Sequence, residues 1–79
     1  MNNKLRLLIE RFISGDDTSI ASANAIEVTL DDQFPEDDFL QQTVEMLAMY
    51  RPEGGDFLFD TEAIKKRLAE TAKYMETLE

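Results

Sequence analysis

The sequence contains no cysteine, no histidine and no tryptophan, and only three glycines and two prolines in 79 residues. Without cysteine the chain can form neither a disulfide bond nor a thiolate zinc site, which fits a reducing compartment such as the cytoplasm. Without histidine it lacks the side chain that most often carries protons near neutral pH. These absences argue against an enzyme, and we expect no catalytic, metal or cofactor site.

Long apolar segments and phosphate-binding loops are also missing. No run of the sequence approaches the roughly 18 apolar residues of a membrane-spanning helix. Charges interrupt the N-terminal segment and no small-residue cleavage site follows it, so we predict no signal peptide and a soluble, cytoplasmic protein. No lysine follows a glycine-rich loop, and no nucleophile or zinc motif is present. A length of 79 residues predicts one domain, spanning residues 1–79.

Basic residues are scarce in the middle of the chain. The sequence has 8 basic and 17 acidic residues, for a net charge of −9. Residues 16–62 hold thirteen acids against Arg51 alone, whereas the two ends are close to neutral. A single carboxylate is most simply a helix cap or a solvated residue, but this imbalance favours a basic protein partner. The same negative charge argues against binding to nucleic acid or to an anionic membrane.

Apolar spacings predict four helices. The first spans about residues 3–14 and ends at Gly15. The second follows a cap at Asp17 or Thr18, and Pro35 is expected to open the third, over about residues 36–50. Asp60 is expected to cap the fourth helix. Connectors of roughly 3–10 residues between helices of this length favour an all-α fold, an antiparallel four-helix bundle.

The apolar side chains of these helices define the expected core. Tyr50 ends the third helix beside Arg51 and Pro52. At this place the sequence is equally consistent with a side chain in the core and with one at an interface. Phe59 is expected to pack onto Ile64. The other aromatic residues, expected as core residues or loop anchors, are Phe12, Phe34, Phe39, Phe57 and Tyr74. The other expected inward positions are Leu5, Leu8, Ile9, Ile20, Ala23, Ile26 or Glu27, Leu30, Leu40, Thr43, Val44, Met46, Leu47, Ala48, Met49, Leu68, Thr71 or Ala72, Met75 and Leu78.

The second half of the chain carries a recognisable pattern. The helix Val44-Glu45-Met46-Leu47-Ala48-Met49-Tyr50 is followed by Arg51-Pro52-Glu53, a glycine-rich turn, Phe57-Leu58-Phe59-Asp60 and a last amphipathic helix. This arrangement resembles the immunity proteins of colicin D-like toxins, a family that includes immunity proteins of contact-dependent growth inhibition systems. The shared features are a helix that ends in an aromatic residue, one polar residue and a proline, with an acid close behind. About half of the chain supports the resemblance, and the first half agrees more loosely.

The resemblance implies a function. Such proteins are acidic four-helix bundles that cap the active site of a basic, tRNA-cleaving nuclease toxin, with carboxylates where the RNA phosphates would lie. It implies a monomer that forms a 1:1 complex with the toxin domain. Glu53 matches the acid behind the proline, whereas Arg51 departs from relatives that carry an acid there. The toxin-binding residues expected on this basis are Glu53, Asp56, Asp60, Tyr50, Glu45, Asp37 and Asp38, with the first loop and the connector 31–38 as alternatives.

Two other functions fit a small acidic chain. An acidic adaptor, or an antitoxin-like regulator of another basic protein, is predicted by the same charge distribution and differs only in its partner. An acyl or peptidyl carrier would attach its prosthetic group to Ser19. The carrier pattern needs an aspartate directly before that serine, and here Thr18 separates Asp17 from Ser19. The resemblance to carriers is therefore one of size and charge, and Ser19 is most simply a residue of the first helical turn.

Overall fold

Four helices form the part of the chain that the computed structural model describes, residues 2–78. They are α1 (Asn3–Ser14), α2 (Ile20–Gln33), α3 (Asp38–Ala48) and α4 (Thr61–Glu76). α1 packs against α2 and α4, and α3 packs against the same two helices. Because short loops join helices that are neighbours, successive helices run in opposite directions. The predicted all-α four-helix bundle is confirmed. No helix in this range is both long and apolar enough to cross a membrane.

Each helix begins at a side chain that accepts a hydrogen bond from a backbone N–H of its first turn. Such a cap satisfies one of the amides that the helix itself leaves unpaired. Asp60 caps α4 as predicted, with 2.9 Å between its Oδ1 and the nitrogen of Ala63. The four caps are Asn2, Ser19, Asp37 and Asp60.

The start of α2 differs from the prediction. The cap is Ser19, not Asp17 or Thr18, and its hydroxyl accepts from the backbone nitrogen of Ser22 at 3.0 Å. The carboxylate of Asp17 instead accepts the N–H of Ser19 at 3.2 Å. That local bond offers the backbone an alternative to the helix, so the helix begins one or two residues later than the sequence suggested.

The third helix is shorter than expected at both ends. Pro35 does not open it, because Pro35 and Glu36 form a turn closed by the Asp37 N–H and the Phe34 carbonyl oxygen, 3.3 Å apart. Asp37 then caps the helix. At the other end the N–H of Met49 bonds to the carbonyl oxygen of Met46, which tightens the last turn and ends the helix at Ala48.

The apolar core lies between the four helices and uses most of the predicted positions. Three exceptions lie where a helix begins or ends, since Ile20 is 44% and Leu78 48% exposed and Ala48 is exposed as well; Phe57, in a loop, is another. Phe34 packs against the core as predicted, while Met49 is 39% exposed. The buried apolar residues are Leu5, Ile9, Phe12, Ala23, Ile26, Leu30, Leu40, Leu47, Tyr50, Ile64, Leu68 and Met75.

A small polar network crosses the core between α3 and α4. The hydroxyls of Thr43 and Thr71, both fully buried, are 3.0 Å apart. The Thr71 hydroxyl lies 2.8 Å from the Arg67 carbonyl oxygen and the Thr43 hydroxyl lies 3.3 Å from the Phe39 carbonyl oxygen, so either hydroxyl can be the donor between the two. Thr43 in turn accepts from Nε of Arg67 at 2.9 Å. The network closes on Arg67, so both buried hydroxyls are satisfied, as burial in an apolar core requires.

Tyr50 joins three segments at the other end of α3. Its side chain is only 1% exposed, and its ring packs edge-on against Phe12 with 5.3 Å between centroids. Its hydroxyl donates to the carbonyl oxygen of Thr18 at 2.7 Å and lies 2.8 Å from the hydroxyl of Thr61. Since Tyr50 has one proton to give, Thr61 donates to it. Of the two positions left open for Tyr50, the structure shows the core position, because the ring is covered on the inside of the bundle and offers a partner almost no surface.

We expect the substitution Tyr50→Phe to lower the free energy of unfolding by about 1–2 kcal/mol. It leaves the Thr18 carbonyl oxygen and the Thr61 hydroxyl without their partner while keeping the ring in place. Urea unfolding followed by circular dichroism measures the loss. Thr61→Ser keeps the hydroxyl and serves as the control, with a smaller expected loss. An unchanged free energy of unfolding for Tyr50→Phe would contradict the role given to this hydroxyl.

Candidate protein interface

Most basic residues lie on other helices than the acids of the middle of the chain. Seven of the eight basic residues lie on the adjacent helices α1 and α4, whereas residues 20–48 of α2, α3 and their connector hold seven acids and no base. Because α2 and α3 pack against each other, these acids lie on one side of the bundle. We call this side the acidic half; its acids are Glu27, Asp31, Asp32, Glu36, Asp37, Asp38 and Glu45.

Few carboxylates in residues 2–78 have a cationic partner. Nε of Arg11 donates to Asp16 at 2.9 Å, and Nζ of Lys65 lies 3.9 Å from Glu62. Both pairs are partly or largely exposed, so each contributes little to stability. No basic residue belongs to the acidic half, and the guanidinium of Arg67, which reaches α3 from α4, bonds to Thr43 and to the Phe39 carbonyl oxygen and forms no ion pair there. A basic partner would relieve the mutual repulsion of these carboxylates.

The longest loop of the bundle, residues 49–60, carries the acids that the sequence pattern singled out. Two backbone hydrogen bonds fix its base. The N–H of Phe59 donates to the carbonyl oxygen of Met49 at 3.0 Å, and the N–H of Arg51 donates to the carbonyl oxygen of Phe59 at 2.9 Å. Between them the chain makes two turns, closed by Gly54 N–H to Arg51 at 2.8 Å and Leu58 N–H to Gly55 at 3.1 Å. We refer to residues 49–60 as the α3–α4 loop. Its hydrogen bonds hold it in a defined conformation.

Glu53 and Asp56 stand on this loop as free carboxylates. Both are exposed, and neither makes a hydrogen bond or an ion pair within residues 2–78. Asp60 is exposed too, but one of its oxygens caps α4. Arg51 forms no ion pair with them, because its Nη1 donates to the carbonyl oxygen of Tyr50 at 2.7 Å. The loop therefore presents uncompensated negative charge next to the end of α3.

The other predicted residues lie elsewhere on the bundle. Asp37 and Asp38 are at the start of α3, and the α3–α4 loop follows its end. About 15 Å of helix separates the two groups, given a rise of 1.5 Å per residue. Glu45 is exposed on α3 between them. The predicted site residues therefore form two groups instead of one cluster, because the antiparallel course of the chain places the two connectors at opposite ends of α3.

Asp37 has a structural role that the sequence did not indicate. The hydroxyl of Tyr74 donates to it at 2.6 Å, while its other oxygen accepts from Leu40 as the cap of α3. The bond from Tyr74, followed by that from Leu40, lowers the pKa of Asp37 below its usual value, and the same contact raises the pKa of Tyr74. The ring of Tyr74 stacks on Phe39 with 4.5 Å between centroids. Asp37 is thus tied to α4 and is a poor candidate for binding a toxin.

We expect the Tyr74–Asp37 contact to make stability depend on pH at the acidic end. Because folding lowers the pKa of Asp37, its stabilising effect is present above the unfolded-state value near 4 and is lost as the pH falls through the lower folded-state value. Tyr74→Phe removes the hydrogen bond that is the main cause of the lowered pKa of Asp37. The difference in free energy of unfolding between wild type and Tyr74→Phe should therefore be larger at neutral pH than near pH 2.5. A difference independent of pH would show that the bond does not favour the ionised carboxylate.

Phe57 is the surface residue that sequence reasoning placed wrongly. It was expected in the core or as a loop anchor, yet it is 90% exposed, the most exposed large apolar side chain among residues 2–78. It lies in the turn that follows Gly54 and Gly55. The glycine pair followed by an aspartate predicts a turn at this point, and Phe57 lies inside it. The apolar Phe-Leu-Phe pattern masked this signal.

Ser19 caps a helix, and the acidic side chains of residues 2–78 form no metal site. The hydroxyl of Ser19 is exposed and serves as the cap of α2. Within residues 2–78, no three acidic side chains lie close enough together to hold a metal ion. Comparison with known protein families, curated proteins and solved structures finds no match for this chain. The surface that residues 2–78 present is acidic, and the α3–α4 loop adds exposed carboxylates without an ionic partner.

We expect salt to stabilise the folded protein. Raising NaCl from about 10 mM to about 300 mM screens exposed charges, and the unpaired carboxylates repel one another most at low salt. The melting temperature, measured by circular dichroism, should rise by several degrees, since each kcal/mol relieved corresponds to about 4–8 °C in a domain of this size.

A pair of charge-removing variants locates this repulsion. Asp31→Asn with Asp32→Asn removes two charges from the acidic half and should reduce the salt-dependent rise. Glu10→Gln with Glu70→Gln removes two charges from α1 and α4, where bases surround them, and should not reduce it. A melting temperature of the wild type that is constant or falls with salt would contradict the uncompensated charge.

Proposed function

We propose that this protein is an immunity protein that binds a basic bacterial nuclease toxin, of the tRNA-cleaving colicin D-like or contact-dependent growth inhibition type, and covers its active site. The observation that carries the proposal is the α3–α4 loop, on which Glu53 and Asp56 are exposed and unpaired above a hydrogen-bonded base. The chain resembles such immunity proteins in this same segment. The complex would be 1:1 and form in the cytoplasm, before the toxin reaches RNA.

Inhibition of this kind needs no catalysis. A nuclease that cleaves RNA lines its cleft with lysine and arginine side chains that bind phosphates. Carboxylates placed in that cleft pair with the same cations and exclude the substrate. Buried charge pairs at protein interfaces couple by roughly 1.5–7 kcal/mol, so two such carboxylates can supply much of the affinity.

The uneven distribution of charge supports the same proposal, because it favours the first encounter with a basic partner. The acidic half and the α3–α4 loop carry the negative charge, and α1 and α4 carry seven of the eight bases. A charge distribution of this kind orients the molecule in the field of a basic partner before contact and raises the association rate. The α3–α4 loop would meet the partner at the end of the bundle where Tyr50 joins the α1–α2 loop to the start of α4.

The test is a double charge reversal in the loop. We expect Glu53→Lys with Asp56→Lys to weaken binding of the toxin's C-terminal domain by at least about 100-fold, since two interfacial pairs become repulsive. Helix content, measured by circular dichroism, should not change because both residues lie outside the helices. Affinity and rates are measured by surface plasmon resonance against the basic C-terminal domain of the large protein encoded directly upstream.

The matched control changes the net charge by the same amount elsewhere. Glu10→Lys with Glu70→Lys places the reversals on α1 and α4, at exposed positions. It should slow association slightly and leave the dissociation rate unchanged. If both variants weakened toxin binding equally, the cause would be the overall net charge, and the α3–α4 loop would not be part of the interface. If no basic toxin domain is encoded upstream, or if it does not bind, the immunity function is wrong and a regulator of another basic protein becomes the better interpretation.

A further inference from the structure

Phe57 combines two unfavourable features at one position. Its side chain is 90% exposed, and its backbone φ is +64°, in the left-handed region. It is the one residue other than glycine with a positive φ among residues 2–78. Side chains with a Cβ rarely adopt that conformation, and a bulky aromatic residue is strained there.

The local turn does not need a phenylalanine. Phe57 occupies the third position of the turn that Gly55 and Leu58 close with a 3.1 Å hydrogen bond. A positive φ at this position is best served by glycine or asparagine. The ring also makes no aromatic or cation–π contact within residues 2–78 and is not among the side chains that pack on the core. Folding therefore gains nothing evident from this side chain.

The surroundings of Phe57 are those of a protein-binding anchor. Leu58 and Met49, each 39% exposed, add apolar surface on the same loop. Leu58 also lies over Gly55, where an added Cβ would come within 3.2 Å of its Cδ1. Glu53 and Asp56 carry free carboxylates on either side of the glycine pair. Energetically dominant residues at interfaces are often aromatic side chains that enter a pocket and are surrounded by polar groups.

We propose that Phe57 is the anchor of the interface and inserts into an apolar pocket that lysine and arginine side chains surround on the partner. This inference rests on the proposed function and deepens it, because it assigns the partner a pocket as well as a basic cleft. Strain held at a loop tip is typical of functional positions, where surrounding structure keeps a residue in its binding conformation. The hydrogen-bonded base of the α3–α4 loop supplies that support, so little order is lost on binding.

The decisive experiment compares stability with affinity in Phe57→Gly. Glycine removes the ring and accepts the positive φ, so the melting temperature should stay within about 2 °C of the wild type or rise. Affinity for the C-terminal domain of the toxin encoded upstream should fall by about 30-fold or more, mainly through faster dissociation. Phe57→Tyr keeps an aromatic ring and should retain most of the affinity.

Leu7→Ala is the matched control, since it truncates a 53% exposed apolar residue on α1 and should not alter affinity. If Phe57→Gly bound the toxin domain with wild-type affinity, the proposed role of Phe57 as an anchor would be wrong, whereas the proposed immunity function would be unaffected. A large fall in its melting temperature also overturns the anchor, because the ring would then serve the fold. Absence of binding by the wild type overturns the immunity function and the anchor together. A wild-type homodimer in sedimentation that Phe57→Gly dissociates would assign the ring to self-association and likewise overturn the proposal.

Discussion

The hydroxyl of Tyr50 holds together the end of the bundle on which the candidate interface stands. It links the α1–α2 loop at Thr18 with the first residue of α4, Thr61, while its ring packs on Phe12 of α1. The backbone on both sides of Tyr50 pairs with Phe59, which closes the α3–α4 loop at its base. A loop fixed in this way can present free carboxylates and an exposed ring without collapsing onto the helices.

The acidic residues divide into those that build the fold and those that remain available. Asp37 and Asp60 cap helices, and Asp17 shapes the turn before α2. Glu53 and Asp56 have no such role, nor do most carboxylates of the acidic half. A net charge of −9 with few ion pairs among residues 2–78 carries a repulsive cost in isolation. Binding to a basic surface would remove that cost, which favours a partner over a purely structural explanation of the charge.

Much of the fold could be predicted because it depends on local patterns. The apolar periodicity of α1 and the cap of α4 are properties of short segments, and the structure confirms both. The starts of α2 and α3 were misplaced because Asp17 bonds the amide of Ser19 instead of capping the helix, and because Pro35 lies in a turn before the helix. The candidate site was predicted in part: Glu53 and Asp56 are exposed on one loop, whereas Tyr50 is buried and Asp37 is bonded to Tyr74.

By itself the sequence determined the helical class, the acidic character of the middle of the chain and the lack of histidine and cysteine chemistry, because composition and periodicity encode these directly. Only the tertiary structure decided which acids share a surface. The acids of α2 and α3 share a surface because these two consecutive helices pack against each other, while α1 reaches α4 through contacts between residues distant in sequence. The exposure of Phe57 depends likewise on the direction in which a turn points, which no local apolar pattern specifies.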